Sequence, residues 1–286
     1  YRIDWNDKSS NINMIASELG LSLDSFVFWD DSPIERGKVK IDLPEVYTFD
    51  VPDDVILWPK LLRNLFEFSK LDLTSEDTKK SKQYKARLEF FNAKESTSSV
   101  NDFLISINML PTSKYLSNDN LDRAFQLCQK TNQFNLTTSR YSKSDLVQFI
   151  ESKKDICCVT ALVDDFADHG EVGLFCLTEI NKETVLIDTF LLSCRVLSRE
   201  YEYWVMNEIL KIAITRDYKN IIGKYIASGK NQVAKSFLEK CGFISTSYDK
   251  IKLFEKVTEE TMHTSFYILN INEDMKKRNI YEERFI

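Results

Sequence analysis

Histidines, long apolar runs and closely spaced cysteine pairs are scarce or missing in this sequence. Two histidines, His169 and His263, are too few for a histidine-rich metal site. No apolar stretch approaches the roughly 18 residues that a membrane-spanning helix needs, and no signal peptide opens the chain. The net charge of −6 and the pI near 5.2 argue against nucleic acid or an anionic membrane as a general partner.

Cysteine pairs of the C-x-x-C type are also missing. The six cysteines are irregularly spaced and mostly lie in apolar segments: Cys128, Cys157, Cys158, Cys176, Cys194 and Cys241. That pattern predicts reduced thiols in a cytoplasmic protein. With 286 residues, 43% hydrophobic and 29% charged, the chain is long enough for two soluble globular domains.

An acidic pair follows the first strongly apolar segment. Residues Phe26 to Trp29 predict a strand buried on both faces, and Asp30 and Asp31 come directly after it. Because ligands of open α/β sheets bind beyond the carboxyl ends of strands, these carboxylates are placed to hold a hard cation. The alternative is that Asp30 is a helix N-cap and Asp31 a first-turn acid. A predicted helix from Asn11 to Leu19 would bring Lys8 to the same edge.

These residues stand in segments that resemble a known family. The matching segments are Trp5 to Lys8, Leu21 to Arg36 and Leu43 to Val46, which are similar to the FkbH-like branch of the haloacid dehalogenase (HAD) superfamily. In that superfamily a basic residue steadies the transferring phosphoryl group and a later acidic pair holds magnesium. The resemblance implies these roles for Lys8 and for Asp30 and Asp31.

The phosphatase nucleophile of that superfamily is missing from the chain. It is an Asp in an Asp-x-Asp-x-Thr/Val signature after a first apolar strand, and no such segment occurs. Either the chain is a fragment without its amino-terminal half, or the protein has lost the phosphatase half. A lysine and two carboxylates would bind Mg²⁺ weakly but form no aspartyl-phosphate intermediate.

The second half predicts alternating helices and strands. The expected strands are 156 to 163, 170 to 179, 184 to 192, 220 to 227 and 265 to 269, with a long helix at 201 to 216. This order resembles the GNAT superfamily of N-acetyltransferases, as does the segment Asn231 to Phe243. We therefore expect an α/β chain with a partial HAD-like Rossmannoid domain at 1–75, a helical connector at 76–112 and a GNAT-like domain at 113–286.

The turn before the long helix departs from the resemblance. GNAT proteins bind a pyrophosphate at a glycine-bearing turn there, and FkbH-like proteins show Ser-Cys-Arg-Val-x-Gly-Arg-Gly. This chain has Ser198 and Glu200-Tyr201 at the glycine positions, and an acidic residue disfavours an anion. The change of residues therefore disfavours coenzyme A binding by this turn, and whether it still binds a pantetheine or a pyrophosphate stays open.

Two further segments match the FkbH-like family, Lys130 to Thr138 with Arg140-Tyr141, and Asp165 to Gly170. Amide side chains can donate and accept hydrogen bonds at once, so they suit a polar substrate, although structural turn chemistry is the competing explanation. The candidate substrate-binding residues are Asn132, Gln133, Asn135, Arg140, Arg195, Arg199 and Asn231.

Cys194 is the candidate nucleophile. It lies where a strand gives way to the long helix, near helix N-terminal amides and near Arg195 and Arg199, which favour a thiolate. The alternative is a small buried residue that fills a strand. His169 or Asp168 could act as the base if the Asp-His-Gly turn faces the same cleft.

The family resemblance implies a function for the whole chain. FkbH-like proteins take a glyceryl unit from a phosphorylated glycerate and load it onto the phosphopantetheine thiol of an acyl carrier protein in polyketide-type pathways. The expected partners are thus an acyl carrier protein and the phosphorylated donor, without nucleic acid or membrane. The alternative is a noncatalytic module that binds a carrier protein or another partner, as a decayed acyltransferase.

Overall fold

The computed structural model describes residues 1–68, 75–251 and 263–271. The chain divides into two compact units, Tyr1–Ser96 and Thr97–Ile286. The predicted connector at 76–112 is therefore shared between the two units. The predicted limit of the first domain, at 75, borders residues outside the described ranges.

The first unit combines four helices with a short parallel sheet in its described residues. Its elements are α1 (Lys8–Leu19), β1 (Val27–Phe28), α2 (Pro33–Asp42), β2 (Tyr47–Thr48), α3 (Trp58–Arg63) and α4 (Ser75–Glu95). β1 and β2 pair in parallel. A small core forms around Val39, Leu43 and Val46, against which Phe26 and Phe28 pack. Of the strand expected at Phe26 to Trp29 only Val27 and Phe28 form, and all four residues are half-buried rather than buried on both faces.

The second unit is built on one mixed sheet. Its elements in order are α5 (Val100–Ser106), β3 (Leu110–Tyr115), α6 (Leu121–Lys130), β4 (Phe134–Asn135), α7 (Lys143–Glu151), β5 (Ile156–Val163), β6 (Asp168–Asn181), β7 (Thr184–Leu192), α8 (Tyr201–Thr215), β8 (Asn220–Ile226), α9 (Phe237–Lys240), β9 (Ile244–Thr246), α10 (Tyr248–Ile251) and β10 (Thr264–Asn270). The described strands follow the order β3-β5-β6-β7-β8-β10-β9, and β4 pairs with β7. All neighbours are antiparallel except β7 and β8.

The α6 and α7 helices cover one face of this sheet. Leu127 and Leu146 pack there against Leu174 and Leu191 of β6 and β7. α7 begins at a capping box in which the Ser142 side chain and Asp145 exchange hydrogen bonds with each other's backbone amides. The sequence also offers Ser144 as an N-cap for a helix from 144 to 151, but Ser144 lies inside α7, because Ser142 has Asp145 three residues after it.

Several elements differ from the sequence prediction. The apolar residues from Val100 to Leu110 predict a short helix ended by Pro111, but the helix stops at Ser106 and Pro111 belongs to β3. A proline without an amide donor is tolerated there because β3 is the edge strand. The sequence also predicts one helix at 232 to 241 with Gly242 after it, whereas the structure has a 3-10 turn followed by the short α9. No helix among the described residues is both long and apolar enough to cross a membrane.

Candidate active site

One edge of the second-unit sheet brings together residues that are far apart in the sequence. β5 and β7 end at this edge and β6 begins there, because β6 is antiparallel to both. Asp168 and His169 open β6, whereas Cys194 and Arg195 follow the end of β7. We call this the carboxyl edge. The nucleophile and both candidate bases predicted from the sequence therefore belong to the same edge.

β4 brings a third segment to the carboxyl edge. Phe134 lies opposite Leu192 in an antiparallel pair. Asn132 and Gln133 precede Phe134 and therefore lie beside the residues that follow β7. Both are half-buried. Their predicted contact with substrate stays a prediction.

Cys194 differs from the other cysteines in its exposure. All six cysteines lie within the described ranges; Cys194 is half-buried, and the other five are buried. Burial raises the pKa of Cys128 and of Cys158 to about 12, and it holds the pKa of Cys176 well above its ordinary value. A thiol that stays protonated and lacks solvent contact is a poor nucleophile. Cys194 is therefore the cysteine best placed for chemistry.

A buried charged centre lies directly behind this edge. The carboxylate of Asp164 accepts a hydrogen bond from Arg199 Nε at 2.6 Å and lies 3.0 Å from His169 Nε2. Its other oxygen accepts from the backbone amides of Phe166 and Ala167, both at 3.0 Å. The three charged or titratable side chains are at most 3% exposed. We call this set, Asp164, His169 and Arg199, the buried centre.

The electrostatics of the buried centre favour an ionised Asp164. Burial by itself would raise the pKa of this carboxyl group. The contact with His169 and the charge on Arg199 outweigh burial and hold the pKa of Asp164 well below its ordinary value. Asp164 was not among the candidate residues, although Asp164 and Asp165 form an acidic pair at the end of an apolar strand, which could have indicated it.

The buried centre fixes the loop that carries Cys194. Arg199 also donates to the carbonyl oxygen of Arg195 at 3.1 Å, and Arg195 donates to the carbonyl oxygen of His169 at 3.2 Å. The amide of Ser193 donates to Val172 on β6 at 2.7 Å. These bonds hold the loop on both sides of Cys194. Arg199 and the backbone carbonyl of His169 therefore hold the loop that carries Cys194, and Arg195 is the next residue along it.

Asp168 is placed differently from His169. It is exposed, and its carboxylate accepts from the amide of Gly170 at 2.9 Å. His169 directs its imidazole into the buried centre. The predicted role of either residue as a base stays a prediction.

Two asparagines from the candidate list form an internal network. Asn231 is fully buried; it donates to the carbonyl oxygens of Asn135 and Ile226, and it accepts from Ser228. Asn135 is also fully buried; it donates to Thr131 and accepts from the amide of Thr138 at 2.8 Å. The side-chain amides of Asn135 and Asn231 thus form hydrogen bonds with other groups of the protein. These bonds hold β4 in place.

Arg140 holds the end of α6. Its guanidinium donates to the carbonyl oxygens of Cys128 and Thr131 and to the side chain of Asn132. A cation at the carboxyl terminus of a helix is favourable because the carbonyl groups there lack helical partners. Arg140 therefore orients Asn132 at the carboxyl edge.

The segment around β4 fills a gap in the sheet. β7 and β8 pair in parallel only from Thr184–Asn220 to Ile187–Gly223. Beyond this point, Leu136 joins them: its amide donates to Phe190 on β7 at 3.0 Å, and its carbonyl oxygen accepts from Ile226 at 2.8 Å. The chain itself thus occupies the space between the parted strands.

The turn before α8 keeps a left-handed backbone without glycine. Ser198 has a φ of 71° and Glu200 a φ of 59°. These are two of the positions where the family resemblance led us to expect glycine. Since a β-carbon is unfavourable in this region, both residues are under local strain. Glu200 and Glu202 also place two carboxylates at the start of α8, which disfavours an anion there.

Replacing Ser198 by glycine is expected to raise the free energy of unfolding by about 0.5–1 kcal/mol, because glycine removes the strain of a left-handed residue. Urea denaturation of the wild type and of Ser198→Gly measures the difference. Ser193→Gly is the matched control, since Ser193 has an ordinary φ of −58° and its side chain caps Arg195. The control should be less stable than the wild type. A loss of stability in Ser198→Gly of the same size as in the control would contradict the strain at Ser198.

The candidate metal-site residues of the first unit are Lys8, Asp30 and Asp31. Asp30 accepts from the amide of Ser32 at 2.9 Å, and Ser32, not Asp30, is the N-cap of α2. Asp31 is exposed, and Lys8 is exposed at the start of α1. Among the described residues, no group of three or more His, Cys, Asp or Glu side chains could hold a metal. These side chains therefore do not form a site that fits a tightly held Mg²⁺.

We expect the chain to lack phosphatase activity, because it contains no Asp-x-Asp-x-Thr/Val segment that would supply the aspartate nucleophile. Release of phosphate from a generic phosphomonoester, measured with and without millimolar Mg²⁺, checks this expectation. A Lys8→Met variant shows whether any background rate belongs to the site. Magnesium-dependent turnover that Lys8→Met abolishes would contradict the prediction.

Comparison with known proteins finds resemblances among solved structures. No family model matches the chain, and no curated protein does either. Solved structures that it resembles include an acetyltransferase from Streptococcus agalactiae, with 13% identity and a TM-score of 0.43 over 57% of this chain and 99% of that chain. Another is a GNAT family acetyltransferase from Elizabethkingia anophelis, with 13% identity and a TM-score of 0.40 over 57% and 99%. At these values the likeness decides neither activity nor substrate.

Proposed function

We propose that this chain is an acyltransferase in which Cys194 carries an acyl group as a thioester. The observation that carries the proposal is the placement of Cys194. It is the half-buried cysteine of the chain, and it lies on a loop that the buried centre fixes at the carboxyl edge. A fixed, accessible thiol at a strand end suits covalent catalysis.

The proposed reaction has two acyl transfers. The Cys194 thiolate attacks the carbonyl carbon of an acyl phosphate, the new C–S bond forms, the C–O bond to phosphate breaks and inorganic phosphate leaves. The thiolate of an acyl carrier protein's phosphopantetheine then attacks the thioester, and Cys194 leaves as a thiolate. The second step exchanges one thioester for another, so it is close to level in energy.

The filled gap between β7 and β8 supports attack at the edge of the sheet. Leu136 bridges these strands by backbone hydrogen bonds, and Phe134 packs against Phe190 and Phe237. An incoming pantetheine arm would have to displace this buried segment in order to pair with β7. A pantetheine arm that reached Cys194 at the carboxyl edge, without pairing with β7, would leave this segment in place.

The resemblance to FkbH-like proteins supplies the proposed substrate. It implies a glyceryl unit taken from a phosphorylated glycerate and delivered to an acyl carrier protein in polyketide-type biosynthesis. We assign the first unit to a partial HAD-like domain on the same basis. Its Lys8, Asp30 and Asp31 would then be remnants of a phosphoryl site with weak affinity for Mg²⁺.

The test is a loading assay with the whole chain. Glyceric acid activated as its acyl phosphate is the donor, a purified acyl carrier protein bearing phosphopantetheine is the acceptor, and the carrier's mass is followed over time. We expect a glyceryl adduct on the carrier that forms faster than in a reaction without the chain. Equal rates with and without the chain would refute acyl transfer.

One observation favours a second candidate, a noncatalytic module that binds a carrier protein or another partner, as a decayed acyltransferase. The carboxylates of Glu200 and Glu202 at the start of α8 disfavour a pyrophosphate at this turn, as expected of an acyltransferase that has lost its activity. A pull-down of the carrier, run beside the loading assay, separates the two functions. Retention of the carrier without any loading would favour the module.

A further inference from the structure

A second polar cluster lies on the sheet away from the carboxyl edge. In the pairing of β6 with β7, Cys176 lies opposite Thr189 and Leu177 lies opposite Ile187. Asp188 is the extra residue between these pairs, so it forms a β-bulge. Bulges redirect a side chain out of the strand's regular alternation and often occur beside binding sites.

Side chains from three segments meet at Asp188. The hydroxyl of Tyr141 donates to Asp188 Oδ2, and Lys224 Nζ on β8 lies 3.7 Å from Asp188 Oδ1. Thr137 donates to the backbone carbonyl oxygen of Asp188 at 2.9 Å, and its hydroxyl lies 3.1 Å from that of Thr189. We call Tyr141, Asp188 and Lys224 the bulge cluster.

Asp188 of the bulge cluster lies on β7 between residues of two apolar clusters. On β7, Leu186 belongs to the apolar cluster under α10, and Leu191 belongs to the apolar cluster under α6 and α7. Asp188 lies between them with its side chain 26% exposed, and the side chain of Lys224 is 15% exposed. Both charged groups are therefore partly accessible to a ligand from solvent.

The charges of the bulge cluster define the ligand it suits. A carboxylate offers only acceptors and an ammonium group only donors, and each has hydrogen-bonding capacity beyond the contacts described. A free anion would be repelled by Asp188, and a free cation by Lys224. An uncharged group with two neighbouring hydroxyls satisfies both, because one hydroxyl donates to the carboxylate while the other accepts from the ammonium group. We infer that the bulge cluster binds an uncharged group that bears vicinal hydroxyls.

The protonation of Tyr141 agrees with this arrangement. Burial, with the nearby Cys176 and Asp188, holds the pKa of Tyr141 far above its ordinary value. The phenol therefore keeps its proton, donates a hydrogen bond to Asp188 and holds the carboxylate in place.

This inference is independent of acyl transfer at Cys194. Asp188 precedes Cys194 by six positions (194 − 188), a span of roughly 20 Å if the chain is fully extended at about 3.3 Å per residue. A ligand in the bulge cluster is thus held apart from the thiol. Binding can be measured in a Cys194→Ala background, so failure of the proposed function leaves this inference testable.

In the experiment, three small amides of similar size are each titrated into the whole chain carrying Cys194→Ala, and binding is followed by ligand-observed NMR. Glyceramide carries two neighbouring hydroxyls, lactamide one and propionamide none. We expect affinity to fall in that order. Asp188→Asn and Lys224→Met should each weaken glyceramide binding at least ten-fold, because each removes one of the two charged partners. If either variant fails to fold, Tyr141→Phe takes its place, with weaker binding expected since Asp188 loses its orienting donor.

The controls come from the same pair of strands. Glu183 precedes β7, Lys219 precedes β8, and the two form an exposed ion pair of the same type. Glu183→Gln and Lys219→Met should leave glyceramide binding unchanged. Equal binding of glyceramide and propionamide, or unchanged glyceramide binding in the folded bulge-cluster variants, would overturn the inference.

Discussion

Replacing Asp164 by alanine is expected to lower the free energy of unfolding by about 3–5 kcal/mol. The substitution removes the carboxylate that partners the buried Arg199 and His169, and it leaves the guanidinium without its counter-charge. It also removes the acceptor of the Phe166 and Ala167 amides. Urea denaturation of the two proteins measures the loss.

Asp165→Ala is the matched control for this prediction. Asp165 is the next residue, and its exposed carboxylate accepts from Asn108 at 2.9 Å. Because that contact is solvated, we expect a change of no more than about 1 kcal/mol. If both variants lost the same stability, the buried centre would not be the element that holds this part of the structure together.

The contribution of Asp164 also has a defined pH dependence. Its folded pKa lies well below the ordinary value of 3.8, so the unfolded chain takes up the proton first as the pH falls. The stabilisation is fully present above about pH 5 and is lost progressively below about pH 4. The stability difference between the wild type and Asp164→Ala should therefore shrink in acid. A difference that grew as the pH fell would contradict the assignment.

Replacing Cys194 by alanine is expected to lower the rate of carrier loading by about a thousand-fold or more, as loss of an essential nucleophile does in covalent catalysis. The measurement is the initial rate of acyl-carrier formation from the acyl phosphate of glycerate. The loop itself should stay in place, because backbone and side-chain bonds of Ser193, Arg195 and Arg199 hold it on both sides of Cys194. The free energy of unfolding should accordingly change by no more than about 1 kcal/mol.

A buried cysteine provides the control for the loss of a thiol as such. Cys241 is buried at the end of α9. It is far along the sequence from the loop that carries Cys194. Cys241→Ala should retain loading within a few-fold, with a modest loss of stability from the small cavity that it leaves. Similar rates for both cysteine variants would remove Cys194 from the proposed mechanism.

Local sequence patterns predicted the central strands well. The strands 156–163 and 184–192 formed with the expected bounds, since continuous apolar segments bounded by polar residues specify buried strands. The long helix at 201 also formed, ending one residue early at Thr215. These elements place Cys194 between β7 and α8, so its position could be predicted from the sequence.

Long-range contacts could not be predicted in the same way. β4 has only two residues, and its pairing depends on where β7 and β8 part, which no local pattern records. The buried centre joins Asp164 to Arg199 across 35 positions. The amides of Asn135 and Asn231 suggested substrate contact, yet in the structure they bond to the protein backbone.

The most direct test of Cys194 as the acyl carrier is the intact mass of the protein after incubation with the acyl phosphate of glycerate, without any carrier protein. The wild type should gain the mass of one glyceryl group, and hydroxylamine should remove it, as it cleaves a thioester. Cys194→Ala should gain nothing under the same conditions. A glyceryl adduct of equal occupancy on both proteins would contradict the account.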